Sequence, residues 1–427
     1  MLRKLLFPEK VNILRRAYIW NLIASGAFAA QSALFLLVIT RTGGETEAGS
    51  FIILFTVAQT LYSLGCYNMR DYQVSDLKGD YPFSTYYTAR ILSCGAMILA
   101  AAGYAIWKQL PAERMIVLGS LICYRGVECF EDLYHGAVQR AGRFDASSLC
   151  MAIRILLSSA VFCTVYAITK NQVAASVAFL ATAGLAFAIT NAVLRKEFSV
   201  GPGWRTEGAG RLLAACFPMC VSGFMNSYLI TAPKYAIDDL MSGSAQTVFN
   251  VLLMPIFLIN LLSLFIYKPM IVKVSEAWNE GRIGDFRKMM ARQGLMIAGL
   301  TAGVAVAGYV IGLKLLEMIY GIPLGEYKIL FTILLLFGGA GALAFYLNAM
   351  ITVMRKQKYI LMGYGLAFGV SLVTTRPMVQ SGGIAGAGYA YGLIMGTLLV
   401  FYLAVVAAET AREKRRISGE RGTGDAH

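Results

Sequence analysis

The sequence predicts an all-α integral membrane protein with about twelve transmembrane helices in two related six-helix lobes. Of its 427 residues, 57% are hydrophobic and 15% are charged, against roughly 45–50% and about 25% in soluble domains. Apolar runs of about 18 or more residues recur along the whole chain, and each can cross about 30 Å of hydrocarbon. The longest polar connection, about 268–292, is too short for a soluble catalytic domain, so we expect no enzyme.

The candidate spans follow from these apolar runs. The first run is preceded by basic residues, as in a signal peptide, but it is far longer than the apolar region of about 7–15 residues in a cleavable signal. We therefore interpret it as the first helix, retained in the mature chain. The twelve predicted spans are 17–40, 48–69, 84–107, 113–138, 147–168, 173–194, 211–233, 245–267, 293–316, 328–353, 359–375 and 385–408.

Orientation follows from the lysines and arginines in the connections between spans. One face, which includes both termini, carries 27 of them, and the opposite face carries eight. Cytoplasmic loops of membrane proteins are enriched in these residues. The sequence therefore predicts a bacterial cytoplasmic (inner) membrane protein with both termini in the cytoplasm. The net charge of +14 could indicate a nucleic-acid-binding protein, but the distribution of the basic residues argues against it.

The two halves carry weak matches in the same order. Ser25-Gly26 in the first span matches Ser222-Gly223 in the seventh, and Tyr67 at the end of the second matches Tyr267 at the end of the eighth. We predict an N-terminal lobe over 1–199, a C-terminal lobe over 200–410 and a disordered basic tail over 411–427. Because six is an even number, both copies have the same orientation, and parallel repeats of this kind are typical of transporters.

The fourth span carries charges inside an apolar run. At 100° per residue its polar side chains fall within one sector of a helix about 120° wide. A charge at the bilayer centre costs about 2.5–3.5 kcal/mol even on the mildest scale, so this sector must meet water, ligand or partner charges. The residues are Arg125, Glu128, Glu131, Asp132 and His135.

Arg154 in the fifth span is the predicted partner of these acids. The short connection makes spans four and five antiparallel neighbours, which places Arg154 level with Glu131 and Asp132. One interpretation is an ion pair that joins the two helices, and the other is a charged site lining a cavity. Arg125 lies near the midplane, where it either is neutralised by Glu128 or remains available to an anionic substrate, since a guanidinium binds phosphate through two parallel hydrogen bonds.

Three further basic residues are weaker candidates for substrate binding. Arg70 and Lys268 lie at matching exits of spans two and eight, where the competing interpretation is ordinary anchoring at the cytoplasmic surface. Lys234 lies at the outer end of span seven, next to Pro233, which we expect to break the helix there. A salt bridge from Lys234 to Asp238 or Asp239 is the alternative to a substrate contact.

The sequence offers no sign of a cofactor. It has no phosphate-binding loop for ATP. It holds two histidines in all, and its eight cysteines lack the spacing of a zinc site. We therefore predict no metal and no cofactor, apart from Na+ or H+ as a coupling ion.

Several segments resemble the bacterial polysaccharide-biosynthesis membrane proteins, which are lipid-linked oligosaccharide (O-antigen type) flippases of the multidrug/oligosaccharidyl-lipid/polysaccharide exporter superfamily. The resemblance covers essentially the whole chain and rests on loose motifs. These are Tyr67 to Asp76 with Tyr81, GAVQRAGRFD from Gly136, APKYAID from Ala232, MRKQKY from Met354 and GIAGAGYAY from Gly383.

The resemblance implies a V-shaped alternating-access transporter that moves an undecaprenyl-diphosphate-linked oligosaccharide to the outer leaflet. Arg70, Arg125, Arg154, Lys234 and Lys268 would supply the family's cationic cavity, and glycosyltransferases and a polysaccharide polymerase would be its partners. The acids of span four depart from a purely cationic cavity. They leave ion coupling through Glu128, Glu131, Asp132 or His135 open. They also keep a cation-coupled multidrug exporter of the same fold as an alternative, ahead of a non-transporting scaffold for glycosyltransferases.

Overall fold

The computed structural model describes residues 3, 6–8, 12–76, 80–198 and 200–424. Within these ranges the regular structure is helical, with no β-strand. The described residues of the N-terminal half form seven helices of seven residues or more, of which the third is short. They are α1 (Ile13–Gly43), α2 (Glu45–Cys66), α3 (Met69–Ser75), α4 (Phe83–Trp107), α5 (Ala112–Arg140), α6 (Phe144–Thr169) and α7 (Gln172–Phe198).

The C-terminal half repeats the same order, with two long helices, a short one, and then long helices again. A π-helical turn at Gly308–Gly312 separates the two parts of the ninth predicted span. The helices are α8 (Ala209–Leu240), α9 (Gly243–Tyr267), α10 (Ile271–Asn279), α11 (Ile283–Ala307), α12 (Leu313–Tyr320), α13 (Lys328–Val353) and α14 (Lys358–Gly424). Short helices α3 and α10 occupy matching places after the second long helix of each half, in agreement with the predicted duplication.

The predicted all-helical membrane fold is confirmed. Ten helices of the described chain are long and apolar enough to cross a membrane. One of these, α14, contains a kink at Gly383 and supplies two spans. Helix α5 falls outside this set of ten because of its charges, although it has 29 residues. Counting both gives the twelve predicted spans.

Helix α14 folds back on itself at Gly383, whose φ of 55° and ψ of −133° are not helical. Its two arms run side by side, because Tyr402 donates a hydrogen bond to the carbonyl of Ile360 at 3.1 Å. The connection between the predicted spans 359–375 and 385–408 is therefore reduced to this one glycine, which tolerates positive φ.

The C-terminal arm of α14 stays helical as far as Gly424, which differs from the disordered tail predicted over 411–427. Ion pairs one turn apart favour continuation of the helix. Arg412 lies 2.7 Å from Glu409, and Arg416 lies 2.5 Å from Glu413. The last three residues of the predicted tail, 425–427, lie outside the described part of the chain.

The chain forms two compact units, Met1–Tyr228 and Leu229–His427. Their boundary falls inside α8, not at the predicted position between residues 199 and 200. The reason is that the first part of α8 packs on the first unit. Leu212 and Cys216 share a buried cluster with Met69 and Leu133, and Asn68 donates a hydrogen bond to the carbonyl of Met219 at 2.9 Å.

Large apolar side chains cover the outside of both units, as a lipid-facing surface requires. Ile106 and Leu295 are each 75% exposed on their helices. Inside the first unit, an aromatic cluster joins four helices through edge and tilted contacts of 4.2 to 6.0 Å between ring centroids. Its members are Phe35, Phe51, Phe55, Phe162 and Phe179.

Candidate functional site: a buried ion-pair network around helix α5

Helix α5 places the predicted charges in the interior of the first unit. The helix begins after Pro111, whose φ of −63° and extended ψ start it without an intrahelical hydrogen bond to lose. It ends before Gly142, which adopts a positive φ of 78°. Between these ends, Arg125, Glu128, Glu131 and His135 are at most 3% exposed. Because charges buried to this degree must be paired, their partners define the site.

Arg154 on α6 is the centre of the network. Its Nε donates to Glu131 Oε2 at 2.6 Å, and its Nη2 donates to Glu128 Oε1 at 3.0 Å. Its third group, Nη1, donates to the hydroxyl of Tyr124 at 2.6 Å. The predicted pair between Arg154 and Glu131 is present, so helices α5 and α6 are joined by buried charge-assisted hydrogen bonds, the stronger kind in proteins.

The predicted pair between Arg154 and Asp132 is wrong. Asp132 instead accepts from Arg70 at 3.2 Å and from Arg90 at 3.1 Å. Consecutive residues on a helix point about 100° apart, so Glu131 faces α6 while Asp132 faces α3 and α4. The charged sector predicted as one surface therefore serves two sets of partners.

Arg125 lies one turn before Glu128 and donates to its Oε2 at 2.6 Å. Four aromatic rings surround the guanidinium at 4.9 to 5.9 Å, namely Phe28, Phe55, Tyr62 and Tyr124. Ring faces attract a cation within about 6 Å, which compensates part of its desolvation. Its Nη2 has no hydrogen-bond partner among the described residues. Glu128 therefore neutralises Arg125, which is one of the two predicted outcomes. The terminal nitrogen Nη2 of Arg125 remains unused within the described chain.

Arg90 and Tyr124 are members of the network that the sequence analysis missed. Arg90 is fully buried and also donates to the carbonyls of Gly65 and Cys66 at 2.8 and 2.5 Å. A signal was available for it, because an arginine seven residues into a predicted span is as costly as those in span four. Tyr124 gave no such signal, since tyrosine is common in membrane helices.

The predicted basic candidates divide between the two units. Arg70 on α3 belongs to the network, and its Nε and Nη2 also donate to Gln139 at 3.2 and 2.9 Å. Lys234 on α8 and Lys268 at the end of α9 belong to the second unit and are not members of this network. The predicted helix break at Pro233 is wrong, because α8 continues to Leu240. Membrane helices tolerate proline when neighbours satisfy the freed carbonyl.

The chain resembles solved transporter structures over nearly its whole length. An inward-facing multidrug resistance MATE family transporter of the MOP superfamily matches with a TM-score of 0.69 and 10% identity, over 91% of this chain and 96% of that one. The fold is that of the MATE transporters. A mutant of the MATE transporter VcmN from Vibrio cholerae matches with a TM-score of 0.62 and 13% identity, over 93% of this chain and 97% of that one.

A third similar solved structure is described by the polarity of its own binding pocket. It is a MOP superfamily transporter from Pyrococcus furiosus, for which reverse polarity of the binding pocket suggests a different function. It matches with a TM-score of 0.56 and 11% identity, over 96% of this chain and 98% of that one. No protein-family model and no curated protein sequence matches the chain.

Proposed function

We propose that this protein is a flippase that moves an undecaprenyl-diphosphate-linked oligosaccharide from the inner to the outer leaflet of the bacterial cytoplasmic membrane. The translocated unit would serve surface polysaccharide assembly, and glycosyltransferases and a polysaccharide polymerase are the expected partners. Movement would follow alternating access, with H+ or Na+ as the coupling ion. The MATE fold supports transport, and the charge of the α5 network supports the choice of an anionic substrate.

The observation that carries the proposal is the charge balance of this network. Four arginines share three carboxylates, and every carboxylate already contacts at least one arginine. The surplus charge is therefore positive. The cations are Arg70, Arg90, Arg125 and Arg154, and the acids are Glu128, Glu131 and Asp132.

Arg125 is the arginine best suited to a diphosphate. It is the basic residue predicted nearest the midplane, and it keeps one terminal nitrogen without a partner among the described residues. A diphosphate carries about two negative charges and cannot enter hydrocarbon without compensation. A guanidinium with an unused donor can contribute to that compensation through a charge-assisted hydrogen bond.

The alternative is a cation-coupled multidrug exporter of the same fold. Two of the similar solved structures are MATE transporters, one of them described as a multidrug resistance transporter, and buried carboxylates could attract a cationic drug. Here such a drug would have to displace an arginine from Glu128 or Asp132, because both oxygens of each already accept from arginine. The different function suggested for the Pyrococcus furiosus transporter by its pocket polarity supports the use of charge to choose between the two substrates.

The test is a pair of assays on the same variants. Each variant is expressed in a bacterial strain that lacks its own flippase and scored for surface polysaccharide, and in a drug-sensitive strain scored for growth with cationic drugs. We expect Arg125→Ala to abolish polysaccharide display without loss of protein. Arg154 still binds Glu128 at 3.0 Å, so this substitution leaves no acid unpaired. Arg125→Lys keeps the positive charge but loses the planar guanidinium, which can donate two parallel hydrogen bonds to a phosphate, so it should retain part of the activity.

The matched control is Arg282→Ala, which removes an arginine that is 49% exposed and paired at the surface; it should leave display unchanged. For a drug exporter the expectation inverts, since Arg125→Ala would be tolerated while Glu128→Gln or Asp132→Asn abolished resistance. Full polysaccharide display by a stably expressed Arg125→Ala variant would overturn the proposal.

A further inference from the structure

We propose that Glu131 and His135 form a proton-binding pair that is reached from a polar cavity at the Arg140 end of α5. This inference rests on the proposed function, because it names H+ as the coupling ion and assigns its site. It is argued from the oxygen atoms of the three acids of the network, from one unpartnered imidazole nitrogen, and from the lining of the cavity.

The three acids differ in how many of their oxygens are already bonded. Both oxygens of Glu128 accept from arginine, Oε2 from Arg125 and Oε1 from Arg154. Both oxygens of Asp132 accept as well, from Arg70 and Arg90. A proton on either acid would have to displace an arginine. These two acids are therefore poor sites for reversible protonation.

Glu131 is the exception among the three. Its Oε2 accepts from Arg154 at 2.6 Å, but its Oε1 has no hydrogen-bond partner in the described chain. One turn later, His135 Nε2 is also without a hydrogen-bond partner there, and it lies 4.0 Å from Glu131 Oε1. Both side chains are at least 96% buried. Buried polar atoms are rarely left unsatisfied, and a proton shared between these two would satisfy both.

The cavity connects His135, one member of this pair, with the surface. It has a volume of about 250 Å³ and is partly open, and it lies entirely within the first unit. His135 forms part of its wall, together with Asn21, Arg70, Gln139, Ser147 and Ser148. A polar space of this size holds several waters. Gln139 and Phe144 place it at the end of α5 that we predict to face the cytoplasm.

The proton step uses only these groups. A hydronium ion in the cavity gives a proton to His135 and becomes water, and His135 becomes an imidazolium. The imidazolium then passes its Nε2 proton to Glu131 Oε1, through one bridging water or by rotation of the ring across the 4.0 Å gap. The imidazole returns to its neutral form and Glu131 becomes a carboxylic acid. Glu131 is then a weaker partner for the Nε of Arg154, so protonation adds one positive charge to the network.

The helices packed around the pair carry charged and titratable groups, either against the pair itself or against its neighbours. On α5 itself these are Glu128 and Asp132, and α6 contributes Arg154 and Cys150. Arg70 from α3 faces His135. Tyr62 and Cys66 of α2 and Arg90 of α4 lie further away, on the side of Glu128 and Asp132. The other two helices contribute only to residues next to the pair: Arg16 of α1 faces Cys150, and Arg195 of α7 faces Tyr134. Arg154 and Arg70 are therefore the fixed positive charges that lie nearest to the pair.

The test is infrared difference spectroscopy of the purified full-length protein in lipid nanodiscs after a downward pH jump. We expect a carbonyl band of a protonated carboxylic acid that is lost in Glu131→Gln. The matched control is Glu409→Gln in the second unit. Glu409 is also buried, but its oxygens already bind Arg412 at 2.7 Å and Lys356 at 3.0 Å, so the band should remain in that variant.

His135 is tested by the rate at which the band appears. We expect His135→Ala to slow its appearance at least about tenfold, because the route from the cavity is cut, and added imidazole to restore the rate by entering the enlarged cavity. Where Glu131→Gln does not fold, Glu131→Asp should shift the band frequency. A band that survives Glu131→Gln, or that is unshifted in Glu131→Asp, would overturn the site, as would an unchanged rate in His135→Ala. These readouts need no substrate, so they stand or fall separately from the polysaccharide assay.

Discussion

Helices α5 and α13 are the fourth spans of the two halves, and they are stabilised in opposite ways. Helix α5 buries Arg125, Glu128, Glu131 and His135 in the first unit, and Arg154 of α6 pairs with both glutamates. Helix α13 carries no charged residue after Lys328. The same position in a duplicated architecture is therefore held by ion pairs in one half and by apolar packing in the other.

Close approach of the backbone replaces ion pairs in α13. A Cβ atom added at Gly339 would lie 2.1 Å from the side chain of Thr301, and one added at Gly338 would lie 2.8 Å from Ile256. Two of the three glycines of α5 are different, since a Cβ atom added at Gly119 or Gly126 would meet open space; only Gly136, close to Gln73, is packed as tightly. Small residues allow membrane helices to pack closely. Helix α13 is therefore held to α9 and α11 by close backbone approach, whereas α5 is held to its own neighbours by ion pairs between side chains.

The shared fold therefore does not require the charges of α5. A charge inside the membrane is costly, and the second half shows that the same helix position can be built without one. We infer that the α5 network is retained for what its charges do. This is the reason for proposing that both the substrate contact at Arg125 and the proton-binding pair lie in the first unit.

Substitution of Arg154 should cause the largest loss of stability. We expect Arg154→Glu to cost about 3–5 kcal/mol in the free energy of unfolding, because it leaves Glu131 without a cation and adds an acid to a buried cluster. Thermal unfolding and size-exclusion profiles of the detergent-solubilised protein measure this loss.

Two double variants decide which acid is the partner. Arg154→Glu with Glu131→Arg should regain part of the lost stability, since Glu131 lies 2.6 Å from Arg154. Arg154→Glu with Asp132→Arg should regain none, because Asp132 faces Arg70 and Arg90 instead. Rescue by the Asp132 variant would contradict the partner assignment.

These partners mark the limit of what sequence periodicity can predict. Apolar runs identified the twelve spans, and a 120° sector identified α5, because both depend only on helix geometry and hydropathy. The Arg154 pair with Glu131 also followed, since the antiparallel connection fixes depth. The split between Glu131 and Asp132 depends on which neighbours pack on each side of α5. Arg90 reaches Asp132 from α4, and no local pattern in the sequence contains that information.

A smaller effect is expected from glycine substitutions that exploit the same contrast. Gly339→Ala in α13 should destabilise the protein by about 1–3 kcal/mol, because the added methyl group overlaps Thr301 and forces α11 and α13 apart. Gly119→Ala in α5 is the matched control and should be neutral or slightly stabilising, since alanine favours the helix. Equal melting temperatures for the two variants would contradict the packing difference between α5 and α13.

Direct binding to the purified full-length protein tests the central claim, that the charge of the first unit serves an anionic lipid. The measurement is the affinity for undecaprenyl diphosphate beside that for a lipophilic cationic dye. We predict that the diphosphate lipid binds and that Arg125→Ala weakens it at least about tenfold, or about 1.4 kcal/mol, with a smaller loss in Arg125→Lys. Tight binding of the dye with none of the diphosphate lipid, or an unchanged affinity in Arg125→Ala, would contradict the account.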